Sequence, residues 1–154
     1  MSVKLEVSFN SPQCGWMSIG FDDGVSEFHT TTAHAPHESA LPELMRVLAK
    51  LADPASGEND FLLKWNRDPE EFDFQFVRSG NSVNIDIFQY PTDERDLAER
   101  ELVFSHSGSV EETVAAFGQT FDQLYADRET DEFEFNWRQP FPYREYEEFR
   151  NRMN

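Results

Sequence analysis

The sequence predicts an α+β fold, an antiparallel sheet of about six strands with two or three helices packed on one face. Three observations predict it. Apolar and polar residues alternate in several short runs, which is the period of a half-buried strand. The segment EFDFQFVRSGNSVNIDIFQY reads as a hairpin whose two arms bury matching faces. Two other stretches carry apolar residues at spacings of three and four, the stripe of an amphipathic helix.

In chain order, Val3, Leu5, Val7 and Phe9 alternate with Lys4, Glu6 and Ser8 until Pro12 and Gly15 break the run. Met17, Ile19 and Phe21 form a second alternating run, and Asp22-Asp23-Gly24 is a hairpin turn signal. Val25 to Thr32 is rich in β-branched residues and reads as a third strand, so these elements form an antiparallel meander. After the loop AHAPHESALPE, a helix is expected from about Pro42 to Ala52. Leu41, Leu44, Met45, Leu48 and Leu51 make its stripe, and Pro42 is tolerable only near a first turn. DPASGEND ends that helix but is too short to separate domains, so residues 1–154 read as a single α+β domain. Phe61 to Trp65 reads as a short strand.

In the hairpin, a two-residue turn at Gly80-Asn81 sets Ser79 opposite Ser82. Phe76 then faces Ile85, Phe74 faces Ile87 and Phe72 faces Gln89. A slip of one residue would place Phe76 against Asn84 and Phe74 against Asp86, so hydrophobic pattern and turn chemistry select the same register. The other face carries Glu71, Asp73, Gln75, Asp86, Phe88 and Tyr90.

The charged connection PTDERDLAER leads to a strand from Glu101 to His106, with Leu102 and Phe104 facing one way. Ser109 and Glu112 have the spacing of a capping box. Val110, Val114, Phe117, Phe121 and Leu124 follow on one helical face; Gly118 within that helix costs ~1 kcal/mol against alanine. In DEFEFNWRQPFP, Phe133, Phe135 and Trp137 recur with period two, predicting a short edge strand that buries its aromatics and turns its acids to water. Pro140 stops it, and Pro142 suits the first turn of a last helix reaching about Arg152, with Tyr143, Tyr146, Phe149 and Met153 inward.

Composition narrows the function classes. Fifteen Phe, four Tyr and three Trp can fill a core without covalent staples. A single cysteine, Cys14, forms no intrachain disulfide, which suits a reducing compartment. Residues 1–10 lack the basic and apolar regions of a secretory signal, and no apolar run reaches the ~20 residues of a membrane helix, so a cytoplasmic location is expected. The net charge of −17 is uneven. Nine acids and five bases occupy residues 1–67, and 21 acids and eight bases follow. Such a surface repels phosphate backbones and anionic bilayers, which argues against nucleic-acid and membrane partners and permits a basic protein partner. The same charge also serves plain solubility.

No motif assigns a catalytic, metal or cofactor-binding residue. His29, His34, His37 and Glu38 are the candidate metal cluster, but Pro36 between His34 and His37 prevents the shared helical face of an H-E-x-x-H site. Cys14 matches no thiol-protease pattern and reads as a turn or core residue. Adjacent acids such as Glu70-Glu71 and Glu111-Glu112 are inevitable among 30 acids and carry no signal alone. Phosphate-binding glycine loops, nucleophile elbows and calcium loops are all missing. The outer hairpin face mixes acids with aromatics, the composition of a protein interface. Asp73, Asp86, Phe88 and Tyr90, with Glu94, Asp96 and Glu99 of the next loop, are therefore the candidate partner-binding residues. The competing expectation is that a helix or extra strand of the same chain covers Phe88 and Tyr90.

Three segments carry a family resemblance: Trp65 with Asp68-Pro69-Glu70 and the aromatic strand Phe72 to Phe76, the helix holding Phe117 and Phe121, and Trp137 with Phe141-Pro142. In this order they resemble an uncharacterised family of small acidic bacterial α+β proteins that look like toxin-system immunity proteins. The resemblance covers roughly the last two thirds of the chain. It implies a non-enzymatic protein that binds and neutralises a toxin, and it brings no catalytic residue. The alternative is a small hydrolase or ligand-binding enzyme using buried carboxylates or the His34/His37 loop.

Overall fold

The computed structural model describes residues 4–153, so Val3 of the first alternating run lies outside the described residues. The chain forms β1 (Glu6–Phe9), β2 (Trp16–Asp22), β3 (Glu27–Ala33), α1 (Ala40–Ala52), β4 (Asp60–Asn66), β5 (Glu71–Ser79), β6 (Ser82–Tyr90), β7 (Glu101–Ser109), α2 (Val110–Asp127), α3 (Phe133–Trp137) and α4 (Tyr143–Met153). The α+β class and the antiparallel pairing are as expected. The expectation of one six-stranded sheet with two or three helices is corrected: the described residues form two sheets, β1-β2-β3 and β4-β5-β6-β7, and four helices. The break falls between β3 and β4, where the chain runs through a loop and α1. These edges approach without forming a ladder. Side chains join them, with Trp65 Nε1 donating to the Ala33 carbonyl at 3.1 Å and Arg67 Nη1 to Thr30 Oγ1 at 3.4 Å.

The hairpin register is the one the sequence specifies: Ser79 opposes Ser82, Phe76 opposes Ile85, Phe74 opposes Ile87 and Phe72 opposes Gln89. Its inner face and the inner face of the first sheet meet in one aromatic core. The Phe21 ring lies 5.8 Å from Phe74 and 5.5 Å from Phe104, and Phe117 of α2 reaches both Phe21 and Phe76 at 6.0 Å. On the far side α2 also covers the free edge of β1, where Thr120 Oγ1 accepts from the Phe9 N–H at 2.6 Å. Ser109 caps α2 by accepting from the Glu112 N–H at 3.0 Å. Gly118 lets α4 approach, because a Cβ there would sit 3.3 Å from the buried Phe149 ring.

Local expectations needed correction in three places. Residues Phe133–Trp137 are a short helix, not an edge strand, with Glu132 (φ 50°) and Arg138 (φ 68°) in left-handed backbone on either side. Phe133 and Trp137 are buried as expected, while Phe135 is 78% exposed. The physical reason is that positions four apart share a face in both a helix and a strand, so only the middle residue distinguishes them. Leu102 does not share the inward face of Phe104. A bulge between the pairs Ile87–Phe104 and Phe88–Leu102 turns it outward. In α4, Tyr146 and Phe149 are buried, but Tyr143 and Met153 are exposed.

Candidate functional site

The outer face of the four-stranded sheet is partly closed by the chain itself. Glu71 and Asp73 alternate with the inward Phe72 and Phe74, so strand geometry obliges both acids to point outward. Left in water they would be ordinary surface carboxylates. Instead residues 91–100 fold back over them and deliver Arg95, held at φ 51°. Its Nε donates to Glu71 Oε1 at 2.9 Å, its Nη1 pairs with Asp73 Oδ1, and its Nη2 donates to the Phe72 carbonyl at 3.2 Å. His37 Nε2 approaches the same Glu71 oxygen at 2.8 Å, and Tyr90 donates its hydroxyl to Asp73 Oδ2 at 2.7 Å. Burial, then the Asp73 bond, push the Tyr90 phenol above its ordinary range. This is a buried ionic cluster in which Asp73 uses both oxygens and Glu71 uses Oε1.

The seven candidate partner-binding residues therefore divide. Asp73 and Tyr90 are buried in that cluster. Asp86 is half-buried and accepts from Ser105 Oγ at 2.6 Å. Phe88 is half-buried under the Arg100 guanidinium, which stands 3.9 Å from its ring centre. Glu94, Asp96 and Glu99 are exposed, with Leu97 (70% exposed) among them and Leu102 beside Phe88. Among the described residues, neither a helix nor an added strand covers Phe88 and Tyr90; the connecting loop does, using Arg95 and Arg100. Sequence reasoning missed Arg95. The available signal was two acids at strand-interior positions, which burial would oblige to find a cation.

At one end of this face opens a cleft of about 560 Å³. Asn66 and Glu71, cross-strand partners, form part of its lining, and His34 faces them from the loop after β3. Two buried atoms here, His34 Nδ1 and Asn66 Oδ1, have no hydrogen-bond partner among the described residues. Three lining residues, Cys14 (φ 54°), Asp68 (φ 68°) and Arg138 (φ 68°), hold left-handed backbone that side chains rarely adopt. The N–H of Gly15 donates to the Asn136 carbonyl and its carbonyl accepts from His34, so the segment after α2 pins the rim.

The histidines and the cysteine are dispersed. His29 pairs with Glu27 on the surface, His37 joins the ionic cluster, and His34 lies edge-on to Trp137 at 6.4 Å. Among the described residues, no three His, Cys, Asp or Glu side chains are placed to share a metal ion. Exposed Cys14 and His34 line the same cleft; His37 does not. No helix among the described residues is long and apolar enough to cross a membrane. No family model, curated protein or solved structure matches the chain.

Proposed function

We propose that this chain is a non-enzymatic, cytoplasmic protein-binding domain that captures a basic protein through the acidic loop on the outer sheet face. The observation that carries this reading is the loop after β6. It sets Glu94, Asp96 and Glu99 around the exposed Leu97, next to Phe88 and the exposed Leu102. Apolar anchors ringed by one sign of charge suit a partner of the opposite sign, which the acids would steer into contact. Asp86 and Phe88 extend the surface onto the sheet, while Asp73 and Tyr90 hold it from beneath. Together with the sequence resemblance, this supports an immunity protein that neutralises a bacterial toxin.

The test is co-expression with any toxin candidate found among the neighbouring genes of its host. Rescue of growth and a complex on size exclusion are expected for the native chain. Both are expected to be lost in a Glu94→Lys, Asp96→Lys, Glu99→Lys variant that keeps the native thermal midpoint. A native chain that neither rescues nor associates would overturn the proposal.

A further inference from the structure

The cleft beside this surface carries an inference that stands independently of the partner reading. Its lining is short of donors. Asn66 is only 5% exposed, yet its Oδ1 accepts nothing, and His34 Nδ1 is likewise without a partner. Glu71 is 3% exposed. Its Oε1 is bonded by Arg95 and His37, while its Oε2 accepts no hydrogen bond from any described residue. A buried acceptor left unpaired is costly, so Asn66 Oδ1 calls for a donor that the described residues do not supply. Asp68 and Asp93 add two further carboxylates to the lining against one cation, Arg138. Trp16, 39% exposed, offers a flat aromatic face beside them.

From these groups we infer that the cleft is a binding site for an alkylguanidinium group, the head of an arginine side chain or of a small arginine-like amine. A guanidinium carries five N–H donors in a planar fork, suited to the cross-strand pair Asn66 Oδ1 and Glu71 Oε2. Its charge is balanced by Asp68 and Asp93, and its plane can lie on Trp16. An anionic ligand would meet three carboxylates, and a neutral one would leave the excess of Asp68 and Asp93 over Arg138 unanswered. Asn66 and Glu71 orient the group, and Arg138 is the one cation of the lining.

The experiment is a titration of the isotope-labelled full chain with N-ethylguanidinium, followed by amide NMR, with neutral N-ethylurea as control at matched ionic strength. Saturable shifts are expected at the Asn66 side-chain amide, Gly15 and His34, with no saturable shift from the urea. Asn66→Leu is expected to weaken binding about tenfold, as for loss of a hydrogen bond to a charged group. Should that variant not fold, the exposed Asp93→Asn change serves, with about a twofold loss expected from removing one surface charge. Equal responses to guanidinium and urea would overturn the inference. So would non-saturable shifts spread over the acidic surface, or unchanged affinity in a folded variant. Free arginine amide and an arginine-containing peptide, titrated in turn, distinguish a small ligand from a side chain of a partner.

Discussion

His106 Nδ1 lies 2.7 Å from Asp23 Oδ2, and this pair ties the two sheets together. His106 comes from β7, and Asp23 from the turn between β2 and β3. Both are buried, at 6% and 8% exposure. Asp23 also accepts the Val25 and Ser26 N–H groups through Oδ1, so both of its oxygens are occupied.

That arrangement sets an acid sensitivity. Burial pushes the Asp23 carboxyl up, but the bonds from Ser26, His106 and Val25 together outweigh it and hold the carboxyl below its ordinary 3.8. A depressed folded value contributes stability above pH 3.8, and that contribution is lost as pH falls through the folded value. Asp23→Asn is expected to cost about 1–3 kcal/mol at neutral pH. Urea unfolding at neutral pH and near pH 3 should show the gap to the native chain narrowing in acid.

Arg95 is expected to be the most costly residue of the loop to replace. Its side chain is 17% exposed against 4% for Glu71 and 9% for Asp73, so Arg95→Met leaves two carboxylates buried without their cation. Breaking a buried pair in this way costs about 3–5 kcal/mol. Denaturant midpoints measure it.

Two tyrosines should ionise late. Tyr146 is raised by burial first and then by donating to Asp122 at 2.6 Å, in parallel with the Tyr90 bond to Asp73. A raised phenol contributes stability below its ordinary value of 10.0 and loses it as pH climbs through the folded value. Ultraviolet titration of the native chain, Tyr90→Phe and Tyr146→Phe should show that each substitution removes late-ionising absorbance.

Thr120 guards the edge of β1. Its hydroxyl accepts from the Phe9 N–H and donates to the Phe9 carbonyl at 3.3 Å, both inside the core. Thr120→Val keeps the shape and leaves both backbone groups unpaired, at about 1–3 kcal/mol. Hydrogen exchange at Phe9 should accelerate more than exchange in β5 and β6.

The hairpin of β5 and β6 was legible because two independent signals, the Gly80-Asn81 turn and the phenylalanine alternation, select one register. Phe133 to Trp137 was ambiguous because burial of its end residues fits both periods. Leu102 was misplaced because nothing in its neighbours announces a bulge. At the candidate site, Glu94, Asp96 and Glu99 were legible as exposed acids. The burial of Asp73 and Tyr90 was not, since it depends on how residues 91–100 fold back.

By itself, then, the sequence determined the class of fold, the meander, the hairpin register and the helical stripes. These depend on contacts between residues near in sequence, where periodicity and turn chemistry act directly. Only the tertiary structure decided that the strands divide into two sheets, that Arg95 closes over Glu71 and Asp73, and that Asn66 and His34 face one cleft. These arrangements join segments far apart in the chain. The closure of Arg95 meets the need to pair buried charge, which no local pattern records.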